Sequence, residues 1–315
     1  MLGIAAACLA GALLAPSGSA SPTSWRWPAL PSGIVPPPVP DDNGMSAVKV
    51  ALGRRLFYEP ALSRDGSLSC ATCHQQARGF TDGEATHRGV TGDPGVRNVP
   101  GLANVGWRSA LTWSDAGLTT LEQQAMVPMT GEHPVEMGMT GGDAEVARRL
   151  SADRCYRSLF TRAFPGKGDI GMKQVVAALG AFQRTMIAFD SPFDRFKRGE
   201  GKAMSPLAQR GAAQFASAGC AACHGGADLT DGKTHYVGTA APSEPDAFAY
   251  GGKPPPPGFE PPVEHFRTPS LRNVAVTGRG CMTGGRRRSR MRFDAMPRLR
   301  WWEWTCPPCS PSSMR

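Results

Sequence analysis

Cys70-Ala71-Thr72-Cys73-His74 and Cys220-Ala221-Ala222-Cys223-His224 are the two stretches on which the reading of this 315-residue chain turns. Two thiols at this spacing can each bond a haem vinyl group, and the histidine that follows is placed to ligate the iron. A zinc site or a dithiol redox pair also uses Cys-x-x-Cys, but either leaves the adjacent histidine unexplained in both copies. The motifs therefore predict two covalently bound c-type haems, one on Cys70, Cys73 and His74 and one on Cys220, Cys223 and His224. His74 and His224 are the expected iron ligands.

The sequence around the motifs repeats. Ser46 to Tyr58 reads as a helix with Val48, Leu52 and Leu56 on one side, ended by Pro60 before the first motif. Ala208 to Phe215 is a shorter helical pattern before the second. Thr81-Asp82-Gly83 follows the first motif and Thr230-Asp231-Gly232 the second, and Pro100-Gly101-Leu102-Ala103-Asn104-Val105 is answered by Pro269-Ser270-Leu271-Arg272-Asn273-Val274. One order of helix, motif, turn and Pro-x-Leu-x-Asn-Val points to an internal duplication. Between the copies Val175, Leu179, Phe182, Met186 and Phe189 recur at helical spacing, which places Met186 in a core rather than on iron. Gly142 to Phe160 reads as another helix. Pro254 to Pro257 belongs to a long polar loop, and no strand alternation is sustained. The expected fold is mainly α, with two cytochrome-c-like haem domains at 45–190 and 191–278.

Length allows one large or two ordinary domains. The formal charge is +9, but residues 279–315 carry nine arginines against Asp294 and Glu303, a net +7, which leaves +2 for the rest. The basicity belongs to the tail, and a nucleic-acid partner is not indicated. Residues 1–20 join an apolar run, Ile4 to Ala15, to Ser17-Gly18-Ser19-Ala20, the pattern of a signal peptide cleaved near Ala20, although a positive start is missing. A lipoprotein reading through Cys8 is the alternative. Haem is attached to thiols outside the cytoplasm, so a periplasmic location is expected, with no membrane span. Residues 21–44 are rich in proline and serine and read as an exposed linker.

From about Leu52 to Gly278 the chain resembles the bacterial di-haem cytochrome c peroxidases, and within them the MauG-like branch. The resemblance is carried by Leu52-Gly53-Arg54-Arg55-Leu56-Phe57, Ser69 to His74, Phe80-Thr81-Asp82-Gly83, Leu121-Glu122-Gln123-Gln124-Ala125, Pro134-Val135-Glu136-Met137-Gly138, Ser191-Pro192-Phe193-Asp194 and Phe266 to Val274. It implies that the haem at His74 meets hydrogen peroxide and the haem at His224 relays electrons. They come from a small donor protein such as a cytochrome c or cupredoxin, or from an oxidised substrate. Glu136 matches the catalytic glutamate, since splitting an O–O bond needs a group that moves a proton between the two oxygens. Its plain reading is a solvated loop carboxylate. Gln124 matches the amide that orients peroxide, against a helix-surface residue. Trp113 matches the tryptophan between the haems, with core packing as its alternative and Trp107 as a rival. The resemblance also implies a calcium ion between the domains, with no ligands assignable, and admits a homodimer.

Two departures stand out. Members that rest with two axial ligands carry a second histidine sixteen residues after the proximal one, which here is Val90. His87 lies three residues short, at a position that is not a ligand in the family, so an open iron is expected at His74. His133 is a candidate for the distal pocket or a surface loop, and His235 and His265 are second-choice ligands near the second haem. After Gly278 the resemblance stops. Read one base out of frame, codons for Gly278 to Arg286 can encode Pro-Arg-Leu-His-Asp-Gly-Arg, and Arg288 to Pro297 can encode Leu-Ala-Asp-Ala-Val-Arg-Arg-Tyr-Ala, much like the family's continuation. The expectation is a lost nucleotide or sequencing error near codon 278, an incomplete second haem domain and a basic disordered tail at 279–315. Met282 is a poor substitute ligand, and Cys306 and Cys309 lack metal-binding neighbours. The rival functions are a non-catalytic di-haem electron carrier and an inactive frameshifted product.

Overall fold

The computed structural model describes residues 25–95, 97–114, 117–166, 169–236 and 265–277. The expected signal peptide, the Pro254–Pro257 loop and the tail from Gly278 lie outside these residues.

Eight α-helices order the described chain: α1 (Ala47–Phe57), α2 (Cys70–Cys73), α3 (Leu121–Thr130), α4 (Asp143–Ala152), α5 (Arg154–Ala163), α6 (Met172–Gln183), α7 (Pro192–Lys197) and α8 (Pro206–Ser217). Strands β1 (Thr234–Tyr236) and β2 (His265–Arg267) form one short antiparallel pair, with His235 opposite Phe266. The expectation of a mainly helical fold holds.

Helix α1 starts where Ser46 accepts the Lys49 N–H, an N-cap that satisfies one of the helix's unpaired donors. The same period that marked it in sequence buries Leu52 and Leu56 completely, each worth about 1.5–3 kcal/mol of removed apolar surface. They face α6, and the two backbones approach so closely that a Cβ on Gly53 would stand 1.9 Å from the Ala178 carbonyl oxygen. Helices α3 and α5 close the same core, with Val175, Leu179, Met129, Val146 and Leu150 all within 1% of full burial. Across it Arg184 donates to both Glu122 oxygens at 2.7 and 2.9 Å, with Arg184 side-chain exposure of only 3%. This bidentate pair is the geometry that repays desolvation of a buried guanidinium.

Three sequence expectations shift. The pattern from Gly142 to Phe160 is two helices, because Asp153 breaks the run and caps α5 by accepting the Cys155 N–H at 2.6 Å. The period ending at Phe189 outruns its helix: α6 stops at Gln183, yet Met186 and Phe189 stay buried through the turn that follows, Met186 in the core as read. The stretch from Trp25 to Gly44 is no free linker. The Val35 carbonyl takes the Trp107 indole N–H at 2.8 Å, the Pro38 carbonyl takes Arg184 Nε at 3.2 Å, and buried Asn43 donates to Glu122 at 2.5 Å.

The segments around the two motifs share backbone detail that no propensity would supply. Phe80 (φ 65°) and Leu229 (φ 53°), each directly before Thr-Asp-Gly, are left-handed, as are Asn104 (φ 56°) and Asn273 (φ 60°). Non-glycine residues enter that region rarely. The His74 and His224 amides both bond back to the first motif cysteine, at 2.9 and 3.0 Å. The halves also touch reciprocally: Asn104 donates to Asp228 at 2.9 Å, while Gly79, which occupies the place of Asp228 in the other segment, packs on Asn273.

Candidate active site

His74 closes the short helix α2, whose Ser69–Thr72 capping box fixes how the motif enters it. The His74 Nδ1 lies 2.8 Å from the Phe80 carbonyl oxygen. That bond needs the proton on Nδ1, so Nε2 is left as the ligating atom. Burial holds the ring below its ordinary pKa, in the neutral form that binds iron, although the Phe80 contact opposes this. The left-handed turn at Phe80 thus has a purpose, since it aims a carbonyl back at the histidine. Burial likewise pushes the Cys70 thiol up to about 12 and the Cys73 thiol higher still. Thiols held protonated in this way are poor redox-exchange nucleophiles.

Cys70, Cys73 and His74 line one wall of a cavity that also receives Trp113, Gln124, Glu136 and His87. The cavity opens to solvent and is lined mostly by apolar side chains with a few polar groups among them. The donor set on its wall fits a haem.

Glu136 reaches this cavity from the loop after α3. That loop is fixed by backbone bonds on both sides: Met137 N–H to Pro128 at 2.9 Å, Met139 N–H to Met129 at 2.8 Å, and Val90 N–H to the Glu136 carbonyl at 2.8 Å. Burial raises the Glu136 carboxyl from 4.5 to about 7, with His87 pulling the other way. A carboxyl poised there holds and releases a proton near neutrality. Gln124, half-buried on α3, faces the same space, whereas Gln123 is exposed and serves the helix cap. His133 is exposed and does not line the cavity. Val90 offers no ligand, as its sequence position implied.

Trp113 is buried, its Nε1 donating to the Asn98 carbonyl at 2.7 Å. Its backbone carbonyl takes the Arg267 N–H at 2.7 Å, and the Arg267 guanidinium stands 5.8 Å from its ring centre. Arg267 is 3% exposed, donates to the Thr112 carbonyl at 2.9 Å, and is pushed down to about 9 by burial and then by Arg108. From Arg267 the chain passes to Thr268, which bonds Thr230 and Lys233, and Asp231 N–H reaches the Cys223 carbonyl at 2.7 Å. Trp113 therefore sits between the first cavity and the segment holding the second motif. Trp107 does not: its ring meets Phe189 edge-on at 5.1 Å and it is absent from the cavity wall.

The second motif is less enclosed. Cys220 is exposed and Cys223 half-buried, and the His224 Nδ1 is buried with no hydrogen-bond partner among the described residues. Cys223, Asp231 and His235 place ligand atoms within 4.8 Å of one another. His235 is committed to Asp231 at 2.7 Å, and His265 lies on β2, across from Tyr236. A thiol and an imidazole are poor calcium ligands, and no carboxylate cluster suited to that ion occurs among the described residues.

Sequence reasoning alone set His87 aside and passed over Arg97, Arg108, Pro128 and Arg267. The signal for His87 was present in Asp82-x-x-x-x-His87, an acidic residue in a tight turn followed by an imidazole.

A mainly helical chain with two Cys-x-x-Cys-His segments, one beside a cavity that also holds a carboxyl raised to about 7, carries the donor sets of a di-haem cytochrome. Residues 47–202 match the family described as di-haem cytochrome c peroxidase. The chain is 39% identical over 242 residues to the methylamine utilization protein MauG of Methylorubrum extorquens, covering 76% of this chain and 66% of that protein. It is 36% identical over 245 residues to the MauG of Methylophilus methylotrophus, covering 76% and 70%. It spans about two thirds of the length of these relatives. A solved MauG-like protein associated with microbial copper homeostasis superposes with a TM-score of 0.74 at 38% identity, over 83% of this chain and 79% of the other. The protein belongs to the di-haem cytochrome c peroxidase family, whose members are oxidoreductases. No helix among the described residues is long and apolar enough to cross a membrane.

Proposed function

We propose that the chain is a periplasmic di-haem c-type peroxidase of the MauG-like type, with the haem held by Cys70, Cys73 and His74 as the peroxide site. The observation that carries this reading is the placement of His74, tied through Nδ1 to Phe80, in one cavity with Glu136 and Gln124. Bound haem supplies the redox chemistry that splits the O–O bond. Around it Gln124 orients peroxide, and Glu136, half protonated near pH 7, holds and delivers a proton to the departing oxygen. Trp113, anchored at Asn98 and Arg267, connects this site to the haem expected on Cys220, Cys223 and His224.

The electrons come from a small redox protein, or the oxidising equivalents pass to a protein or small substrate. The paired left-handed residues and the reciprocal Asn104–Asp228 and Asn273–Gly79 contacts support an origin by duplication. Reciprocity of this kind is what two-fold-related copies produce.

The test is expression with the covalent haem-attachment machinery, followed by haem stoichiometry and peroxide consumption with a reduced cytochrome c. Two haems per chain and sustained turnover support the proposal. Two haems without turnover leave a non-catalytic electron carrier.

A further inference from the structure

The cavity that holds Glu136 has a second proton-handling group on its wall. His87 lines it, and its Nδ1 stands 3.0 Å from Asp82 Oδ2. Asp82 is built to hold that ring. Its side chain is 3% exposed, its other oxygen takes the Glu84 N–H at 2.9 Å, and its backbone carbonyl takes Arg78 Nη1 at 2.5 Å. Burial alone would raise the Asp82 carboxyl, but the bonds from His87 and Glu84 win and hold it below the ordinary range. Asp82 is thus a carboxylate, so the proton between the two groups sits on Nδ1. In the neutral ring Nε2 is then the acceptor, and no described residue takes it.

The loop carrying His87 is fastened to the loop carrying Glu136. Val90 N–H bonds the Glu136 carbonyl at 2.8 Å, Gly95 N–H bonds the His87 carbonyl at 2.6 Å, and a Cβ on Gly89 would stand 1.8 Å from the Val135 carbonyl. The two side chains are therefore held by one rigid unit. Gly89 is the residue that permits the approach.

The geometry points to His87 as a second catalytic residue of the peroxide site, an Asp82-oriented imidazole that works with Glu136. This rests on the peroxide reading above. His87 Nε2 accepts the proton of the peroxide oxygen that remains, while the Glu136 carboxyl gives its proton to the oxygen that departs as water. Cleavage of the O–O bond takes two electrons from the reduced donor protein, which the haems, held at His74 and His224, would carry. The proton on His87 and two from solvent then complete the second water and reprotonate Glu136, so that peroxide, two electrons and two protons yield two waters. Asp82 is a positioning residue, acting only through the ring it orients.

The test compares haem-loaded wild type with His87→Asn, which keeps a donor to Asp82 but has no basic nitrogen, and with His87→Gly assayed with and without added imidazole. The expected result is a fall of about a hundredfold in kcat/KM for peroxide in both variants, the range of acid–base catalysis, with haem content and visible spectrum unchanged. Imidazole restores His87→Gly at least tenfold. His87→Asn within threefold of wild type overturns the inference while leaving the peroxidase reading standing. Wild type that consumes no peroxide overturns both.

Discussion

Replacing Glu136 with glutamine removes one proton and almost no volume, so its effects on rate and on stability can be separated. In the folded chain burial moves this carboxyl from 4.5 to about 7. At about 1.36 kcal/mol per decade, that rise corresponds to about 3 kcal/mol. Between those values the native state binds more protons than the unfolded chain, so stability falls as pH rises, is highest below 4.5 and lowest above 7. Glutamine does not titrate and escapes this penalty. Glu136→Gln should therefore be more stable than wild type at pH 8 by about 3 kcal/mol, with the advantage gone at pH 4. Its peroxide turnover should fall by about 10²–10⁴, the share of a proton-transfer group. Urea titrations at the two pH values and initial rates of peroxide loss measure both. A variant that keeps wild-type turnover, or gains no stability at pH 8, refutes the account of this residue. Loss of function with gain of stability is the mark of a strained catalytic group rather than a structural one.

Gly53→Ala forces a methyl into the Ala178 carbonyl, and the separation of α1 from α6 should cost about 1–3 kcal/mol in a denaturant titration. Arg184→Met leaves Glu122 buried without its bidentate partner and should cost about 3–5 kcal/mol by the same measurement. Trp113→Phe should retain both haems yet slow electron transfer between them, read by stopped-flow reoxidation of the second haem. If the rate is unchanged, Trp113 is only a core residue.

Local chemistry was the legible part of this molecule. The haem motifs, the helical run that opens at Ser46, and the burial of Leu52, Leu56 and Met186 follow from spacing that neighbouring residues enforce. What sequence missed depends on distant partners. The break at Asp153 gives one acidic residue the choice between continuing a helix and capping the next, and the second won because its carboxylate reaches the Cys155 N–H. The proline-rich stretch before Asp41 looked unattached because its partners, Trp107 and Arg184, lie far along the chain. The candidate site divides in the same way. Glu136 and Gln124 were readable by resemblance, whereas the Asp82–His87 pair and Arg267 beneath Trp113 emerge only when loops remote in sequence are brought together.

The most direct test of an open peroxide site at His74 is the electron paramagnetic resonance spectrum of the haem-loaded ferric protein. The account predicts a high-spin signal from the His74 haem that changes on adding peroxide, because Val90, not histidine, stands sixteen residues after His74, where the family resemblance would put a second ligand. A low-spin, two-histidine signal from that haem, unaltered by peroxide, would contradict it.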